Sequence, residues 1–243
     1  MLRSSVQPPY ISIFSSSGSN PLALYDVSVT KDDSSALVFI VNDADDADPG
    51  STMLSLPDLH SGRLGKSIAQ NVLHIQSPSL PSTYIQSRGH LGIRHPWVHI
   101  QVRNLLRDWS FELGFEDESR RSGVARLSTF QVAPVLIPDA SLLHLPLAFP
   151  LSSPTLASGW ATISVDLSSL IPSFVDASLV DRSDVDSDTE DEQGSSNLTW
   201  DAPRSFKELL YVKVYANCRI RRIWTSQTGS DAGLPWEFKL YAG

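Results

Sequence analysis

The residues best suited by type to bind phosphate lie at 60–67, where the chain reads HSGRLGKS. A phosphate-binding loop has a glycine five positions before the glycine of its Gly-Lys-Ser, because its backbone N–H groups must close around the phosphates. Here that position is His60, and Pro57 interrupts the strand that should precede the loop. The segment therefore predicts a surface loop rather than a nucleotide site.

Histidine and cysteine give no stronger signal for catalysis. His95 and His99 lie on a predicted strand, where about 3.3 Å per residue separates them by ~13 Å, too far to share a metal ion. Cys218 has the apolar parity of its own predicted strand, which favours a small buried hydrophobe over a nucleophile. The sequence has no Gly-x-Ser-x-Gly elbow for a serine hydrolase. We therefore predict no enzymatic activity, no catalytic residue, no metal and no cofactor.

Acidic residues concentrate in two runs, at 43–48 and 181–192. Residues 184–195 do not fit a calcium loop, since Thr189 and Ser195 replace the required Gly and Glu. Both runs are predicted to be solvated loops. Ser183, Ser187 and Thr189 each precede an acid by three residues, which makes them candidate phosphorylation sites.

The formal charge of −8 argues against a general binder of nucleic acid or anionic membrane, which needs a positive field. Eleven of the 27 acidic residues lie in the two acidic runs, so the rest of the chain is slightly basic. A single cysteine excludes an internal disulfide and favours a reducing compartment. We expect no signal peptide, because prolines and serines interrupt the N-terminal segment, and no membrane span, because they also interrupt the longest uncharged run, 140–165.

Apolar residues recur with the period of two that is typical of strands. Val98, Ile100 and Val102 alternate with polar residues at 97–103, and Trp109, Phe111, Leu113 and Phe115 do so at 109–116. Residues 163–167 and 238–240 repeat the pattern, while 36–41 is a continuous apolar run that predicts a strand covered on both faces.

The longest alternation runs from Leu210 to Ile220 and predicts one long strand, bent near Asn217. If its apolar parity faces the core, Lys213, Arg219 and Arg221 must project from the opposite face. Arg103 has the polar parity of the strand at 97–103. These four cations are the candidate partner-binding residues, with intramolecular ion pairing as the alternative role.

Strands without strand–helix alternation, together with 16 prolines, predict an all-β protein: an antiparallel, jelly-roll-like sandwich. Helix signals are confined to 205–208 and 67–73. We expect one domain, 1–243, with loop insertions at 42–66, 138–158 and 176–203, the last disordered because its charge prevents burial. The six tryptophans are assigned to packing, and a carbohydrate-binding sandwich is a minor alternative.

Several strings along the chain resemble the cilia- and flagella-associated protein 20 family in order and spacing. The strings are Tyr10–Ile13, Gly18–Leu22, Thr83–Ile85, Leu91–Ile93, Gly159–Trp160, Asp166–Leu167, Ala216–Arg222, Leu234–Pro235 and Glu237–Tyr241. The resemblance implies a β-sandwich without known catalysis. It also implies a structural role at the inner junction of ciliary doublet microtubules, with tubulin and other axonemal junction proteins as partners.

That resemblance implies a location in the axoneme and basal body, with centriolar and nuclear roles attributed to relatives. The acidic insertions depart from the family pattern, and its basic run is only partly present, as Arg120, Arg121 and Arg126. The alternative function is a nuclear or cytosolic interaction module in a lineage without cilia.

Overall fold

The structure is a computed structural model that describes residues 6–31, 34–43, 52–53, 67–68, 70–105, 107–148, 160–180, 200–230 and 232–240. Its elements are almost all strands. The strands are β1 (Tyr10–Ser15), β2 (Tyr25–Ser28), β3 (Leu37–Asn42), β4 (Thr52–Met53), β5 (Ser67–Ile68), β6 (Asn71–Gln76), β7 (Tyr84–Ser87), β8 (Trp97–Asn104), β9 (Ser110–Glu116), β10 (Ser122–Ser128), β11 (Val135–Ile137), β12 (Leu142–Pro146), β13 (Trp160–Asp166), β14 (Glu208–Tyr215) and β15 (Cys218–Ser226).

Within these described ranges the helices are short. Helix α1 spans Leu167–Leu170, and its first turn is capped by Asp166, whose carboxylate accepts from Ser168 N at 3.0 Å. One-turn 3-10 helices occur at Leu80–Ser82, Pro138–Ala140, Ile171–Val175, Ala177–Leu179 and Trp236–Phe238.

Two sheets hold most of the described strands. Sheet A has the order β13-β8-β15-β6-β3, and β1 pairs with the second half of β15; all its pairs are antiparallel. Sheet B has the order β11-β12-β10-β9-β14-β7-β2 and is antiparallel except between β10 and β12. The predicted all-β sandwich is confirmed.

The inward faces of both sheets form one apolar cluster, as the alternation predicts. Val98, Ile100 and Val102 of sheet A and Phe111 and Leu113 of sheet B are at most 1% exposed. Burying side chains of this size contributes about 1.5–3 kcal/mol each. This core fixes the register of each strand, because a one-residue shift would turn its apolar residues outward.

The segment 210–220 is two strands rather than one. All its residues of apolar parity are buried as predicted, but the chain leaves sheet B after β14 and enters sheet A at β15. Asn217 lies at this crossing: its Oδ1 accepts from Ser77 N at 2.8 Å and its Nδ2 donates to the carbonyl of Asp108 at 3.1 Å. The predicted bend near Asn217 is therefore the passage between the sheets.

The local helix predictions are wrong. Residues 205–207 are irregular and Glu208 begins β14, while 71–73 belong to β6, because pairing with neighbouring strands outweighs a weak capping signal. The prediction of a strand at 238–240 is also wrong, since Phe238 ends a 3-10 helix. Residues 142–146, predicted as loop, form β12 between β10 and β11.

Burial differs from the prediction at two strands. Leu37 and Phe39 of β3 are 43% and 42% exposed, because β3 is the end strand of sheet A and is not covered on both faces. In β9 the side chains of polar parity are buried as well as those of apolar parity: Glu112 is 5% exposed and Glu116 is 8% exposed.

Two of the predicted loop insertions, 42–66 and 176–203, lie mostly outside the described residues. The same holds for the disorder predicted in 176–203 and for the candidate phosphorylation sites Ser183, Ser187 and Thr189.

The core assignment gives a stability prediction for β9. Phe111→Ala should lower the free energy of unfolding by about 3–5 kcal/mol, because it removes a fully buried ring between the sheets. Phe130→Ala is the matched control, since Phe130 is 44% exposed. Urea unfolding of both variants measures the difference, and equal losses would contradict the burial of β9.

Candidate partner-binding surfaces

The four predicted partner-binding cations do not lie on one surface. Arg103 on β8 and Arg219 and Arg221 on β15 belong to the outer side of sheet A, while Lys213 on β14 belongs to sheet B. Their environments also differ. Arg219 and Arg221 are each 5% exposed, whereas Lys213 is half-buried.

Arg219 is neutralised by Asp43. Its Nη1 donates to Asp43 Oδ1 at 2.8 Å and its Nε to His74 Nδ1 at 3.1 Å. Arg103 Nη1 donates to the same carboxylate oxygen at 3.1 Å, and the indole of Trp160 donates to the other at 2.9 Å. We call these five residues the Asp43 cluster. Asp43, predicted to belong to a solvated acidic run, is fully buried.

Among the described residues, Arg221 donates to neutral acceptors rather than to a carboxylate. Its guanidinium donates to the side-chain oxygens of Gln101 and Gln70 and to the carbonyls of Glu237 and Lys239. Burial, and then the neighbouring Arg222 charge, lower the pKa of Arg221 to about 10. The guanidinium remains charged at neutral pH and fixes the C-terminal segment to sheet A.

Arg219 and Arg221 thus lie opposite the core, as their parity predicts, but they are enclosed rather than available to a partner, and Arg219 has the alternative role of an intramolecular ion pair. The outer side of sheet A is covered by residues from 229–230 and 232–240: Gln101 donates to the carbonyl of Phe238, and Trp160 packs with Leu240. Gly229 permits this cover, because a Cβ there would lie 2.5 Å from the Trp97 ring. The arginines fill a second, polar layer beneath it.

Lys213 is half-buried and is the predicted cation that lies on sheet B. Its ammonium lies 3.9 Å from the ring centroid of Tyr84 and 4.6 Å from that of Tyr215, a cation–π arrangement. Glu112 is its cross-strand neighbour on β9, but that carboxylate accepts instead from Arg126 Nε at 2.8 Å and from Tyr215 OH at 2.9 Å. We call these five residues the Lys213 face.

Tyr211 and Tyr215 of sheet B are held as protonated phenols. Burial, and then the charge of Glu112, raise the pKa of Tyr215 above its usual value. The same two causes raise the pKa of Tyr211 to about 12. The Tyr211 ring lies across Gly114, where an added Cβ would come within 2.1 Å of it. Tyr84, Tyr211 and Lys213 are half-buried, so tyrosine rings and a cation contribute to this side of sheet B, and aromatic residues are enriched at protein interfaces.

Other reactive groups are enclosed in the fold. Cys218 is fully buried, as predicted, and burial raises the pKa of its thiol. Among the described residues, no three His, Cys, Asp or Glu side chains group closely enough to bind a metal ion. The helices in those ranges are all too short or too polar to cross a membrane.

Sequence reasoning missed Asp43, Glu112 and Tyr84 as members of these two sites. The alternation at 109–116 puts Glu112 opposite the core, but only the register with β10 and β14 shows its partners. Asp43 is 176 positions from Arg219, so local pattern gives no sign of the pair. The packing role assigned to Trp160 and Trp224 is confirmed, since each is 1% exposed, whereas Trp236 is 80% exposed.

Comparison with known proteins identifies the family of the chain. Residues 61–186 match the family model described as the CFA20 domain. The chain is 26% identical to cilia- and flagella-associated protein 20 of Chlamydomonas reinhardtii, across 99% of this chain and 97% of that relative. It is 25% identical to the protein of the same name from Paramecium tetraurelia, across 99% and 96%. The Caenorhabditis elegans protein is 24% identical across 62% and 57%.

The Asp43 cluster predicts a large loss of stability when its carboxylate is removed. Asp43→Asn leaves two cations without their counter-charge, and breaking a buried pair in this way costs about 3–5 kcal/mol. Asp26→Asn is the control, because the Asp26–Arg88 pair is mostly exposed and should contribute less than about 1 kcal/mol. Chemical denaturation compares the two, and a loss below that of the control would contradict the cluster's structural role.

A second prediction concerns acid. His95 is 1% exposed, with Nδ1 3.0 Å from Thr225 Oγ1, and burial lowers its pKa despite opposing hydrogen bonds. The unfolded chain, with a histidine pKa of about 6.5, therefore binds protons first, so stability is complete above that pH and falls below it.

Melting temperatures between pH 7.5 and 5.5 should decline on acidification. Burial, and then Arg126, also lower the pKa of His144, so both histidines contribute. His95→Asn should make the decline shallower, because it removes one titrating group while an amide can still bond Thr225. An unchanged slope in that variant would refute the assignment.

Proposed function

Because the chain belongs to the CFA20 domain family, we propose that it is a non-enzymatic structural protein of the ciliary or flagellar axoneme. The observation that carries this proposal is the match, over nearly its whole length, to proteins named as cilia- and flagella-associated in an alga and a ciliate. The proposed place is the inner junction of the doublet microtubule, with tubulin and other junction proteins as partners. Basal bodies and centrioles contain the same polymer and follow as further locations.

A structural role is supported by how the fold uses its polar groups. Asp43 binds Arg103 and Arg219, and Glu112 binds Arg126, so carboxylates and cations join neighbouring strands. Satisfied polar networks of this kind rigidify a fold. A stiff sandwich of two braced sheets suits a protein that bridges two surfaces.

The Lys213 face is the proposed contact with tubulin. Tubulin is acidic, so a surface cation can contribute to association through its field. The ammonium of Lys213 is positioned by two rings instead of being neutralised by Glu112, and it keeps its charge for an external carboxylate. In this proposal Arg103, Arg219 and Arg221 do not contact tubulin. They lie on the outer side of sheet A and stabilise the fold.

Localisation tests the proposal directly. A tagged copy is expressed in Chlamydomonas reinhardtii from which the gene for its own cilia- and flagella-associated protein 20 has been deleted. We expect the tag along the axoneme after detergent extraction, and retention in salt-washed doublets. A tag confined to the nucleus or cytosol, with no axonemal signal, would reject the axonemal role and favour the soluble interaction module.

Co-sedimentation with microtubules tests the contact surface. Lys213→Gln should weaken binding at low salt about fivefold, equivalent to ~1 kcal/mol, because one attractive charge is lost. Glutamine is preferred to glutamate here, since a new acid would face Glu112 across the strands. Lys239→Gln is the control, because it removes an exposed charge on the outer side of sheet A, opposite the Lys213 face. Equal binding by the two variants, both folded by circular dichroism, would place the contact elsewhere.

A further inference from the structure

An open groove of about 520 Å³ lies on the outer side of sheet A. One wall is the end strand β13, including Thr162 and Ser164, and the other is the C-terminal segment, including Leu234, Phe238 and Lys239. Trp224 of β15 also lines it. The volume lies within the range of about 300–1,000 Å³ that is typical of ligand sites.

The strand that forms one wall has an available edge. Among the described residues β13 pairs with β8 on one side only, so its other side can offer backbone N–H and C=O groups. Thr162 and Ser164 alternate as exposed residues along it. An extended peptide can add to such an edge, with main-chain hydrogen bonds for affinity and side chains in an adjacent groove for specificity.

The facing wall is firm and apolar. The Phe238 ring packs against Trp224 at 5.3 Å between centroids, and Arg222 lies 4.7 Å from the Phe238 ring. Trp236, in the same 3-10 helix as Phe238, is 80% exposed. Trp236 is two residues from Phe238 in the chain, and an exposed tryptophan is the type of residue that dominates binding energy at protein interfaces.

The charge of the groove is one-sided. Lys239 is exposed and lines it, the hydroxyls of Thr162 and Ser164 lie opposite, and its lining contains no carboxylate. Glu237, the nearest acid in the C-terminal segment, acts on Arg222 instead, raising the pKa of that arginine against the effect of burial. The indole N–H of Trp224 has no acceptor among the described residues.

From these features we infer that the groove binds an extended acidic peptide of a protein partner, which adds to the edge of β13 at Thr162–Ser164, on the side with which no described strand pairs. Alternate side chains of the peptide point into the groove, where an apolar one contacts Phe238 and Leu234 and an acidic one meets Lys239. This site is on the opposite sheet from the Lys213 face, so it serves a second partner and is independent of the tubulin contact.

The probe is a display library of random nine-residue peptides, selected on the full-length protein. We expect enrichment of peptides in which Asp or Glu alternates with apolar residues. The best of them, labelled with a fluorophore, is then titrated with each variant by fluorescence anisotropy. Failure to enrich any peptide, or enrichment of peptides without acidic residues, would overturn the proposal.

Matched substitutions identify the site. Thr162→Glu should weaken the selected peptide about tenfold or more by repulsion, while Thr162→Gln, of the same size, should stay within about twofold. Lys239→Gln should weaken binding about fivefold, and Lys31→Gln and Lys213→Gln should leave it unchanged.

In nitrogen–proton correlation spectra the indole signal of Trp224, assigned with Trp224→Phe, should move on binding while that of Trp109 does not. Equal affinity for Thr162→Glu and Thr162→Gln would refute the site.

Discussion

The carboxylate of Asp43 is the constraint on which the outer side of sheet A depends. It follows β3 directly and binds Arg103 of β8, Arg219 of β15 and the indole of Trp160 on β13. One buried anion thus joins four strands of the same sheet. Arg219 and the Trp160 indole can be buried there, with Arg103 half-buried, only because this anion neutralises the cations and accepts from their donors.

This cluster determines which cations are available to a partner. The same layer that encloses Arg219 also encloses Arg221, whose donors fix the C-terminal segment over β15. That segment then forms the wall of the groove beside β13. Sheet B is built differently: Glu112 takes Arg126 and Tyr215, and Lys213 is held by rings. The two sides of the sandwich therefore offer an apolar groove and a cationic tyrosine surface.

The alternation of apolar and polar residues predicted which strand residues face the core, but not which outward-facing residues are exposed. Alternation identified the buried residues of both β14 and β15, because the period of two follows from strand geometry alone. It could not show that β14 and β15 belong to different sheets, since the passage at Asn217 depends on bonds to Ser77 and Asp108 far along the chain. Parity likewise placed Arg219 opposite the core, but parity does not reveal whether a distant segment covers that face.

The most direct test of the account is amine footprinting of the protein on microtubules. Lysines are acetylated in the free and the co-sedimented protein, and mass spectrometry gives the reactivity of each. The account predicts that Lys213 loses reactivity on binding while Lys239, exposed on the outer side of sheet A, keeps it, because the tyrosine surface of sheet B meets tubulin. Binding with Lys213 equally reactive in both states would contradict it.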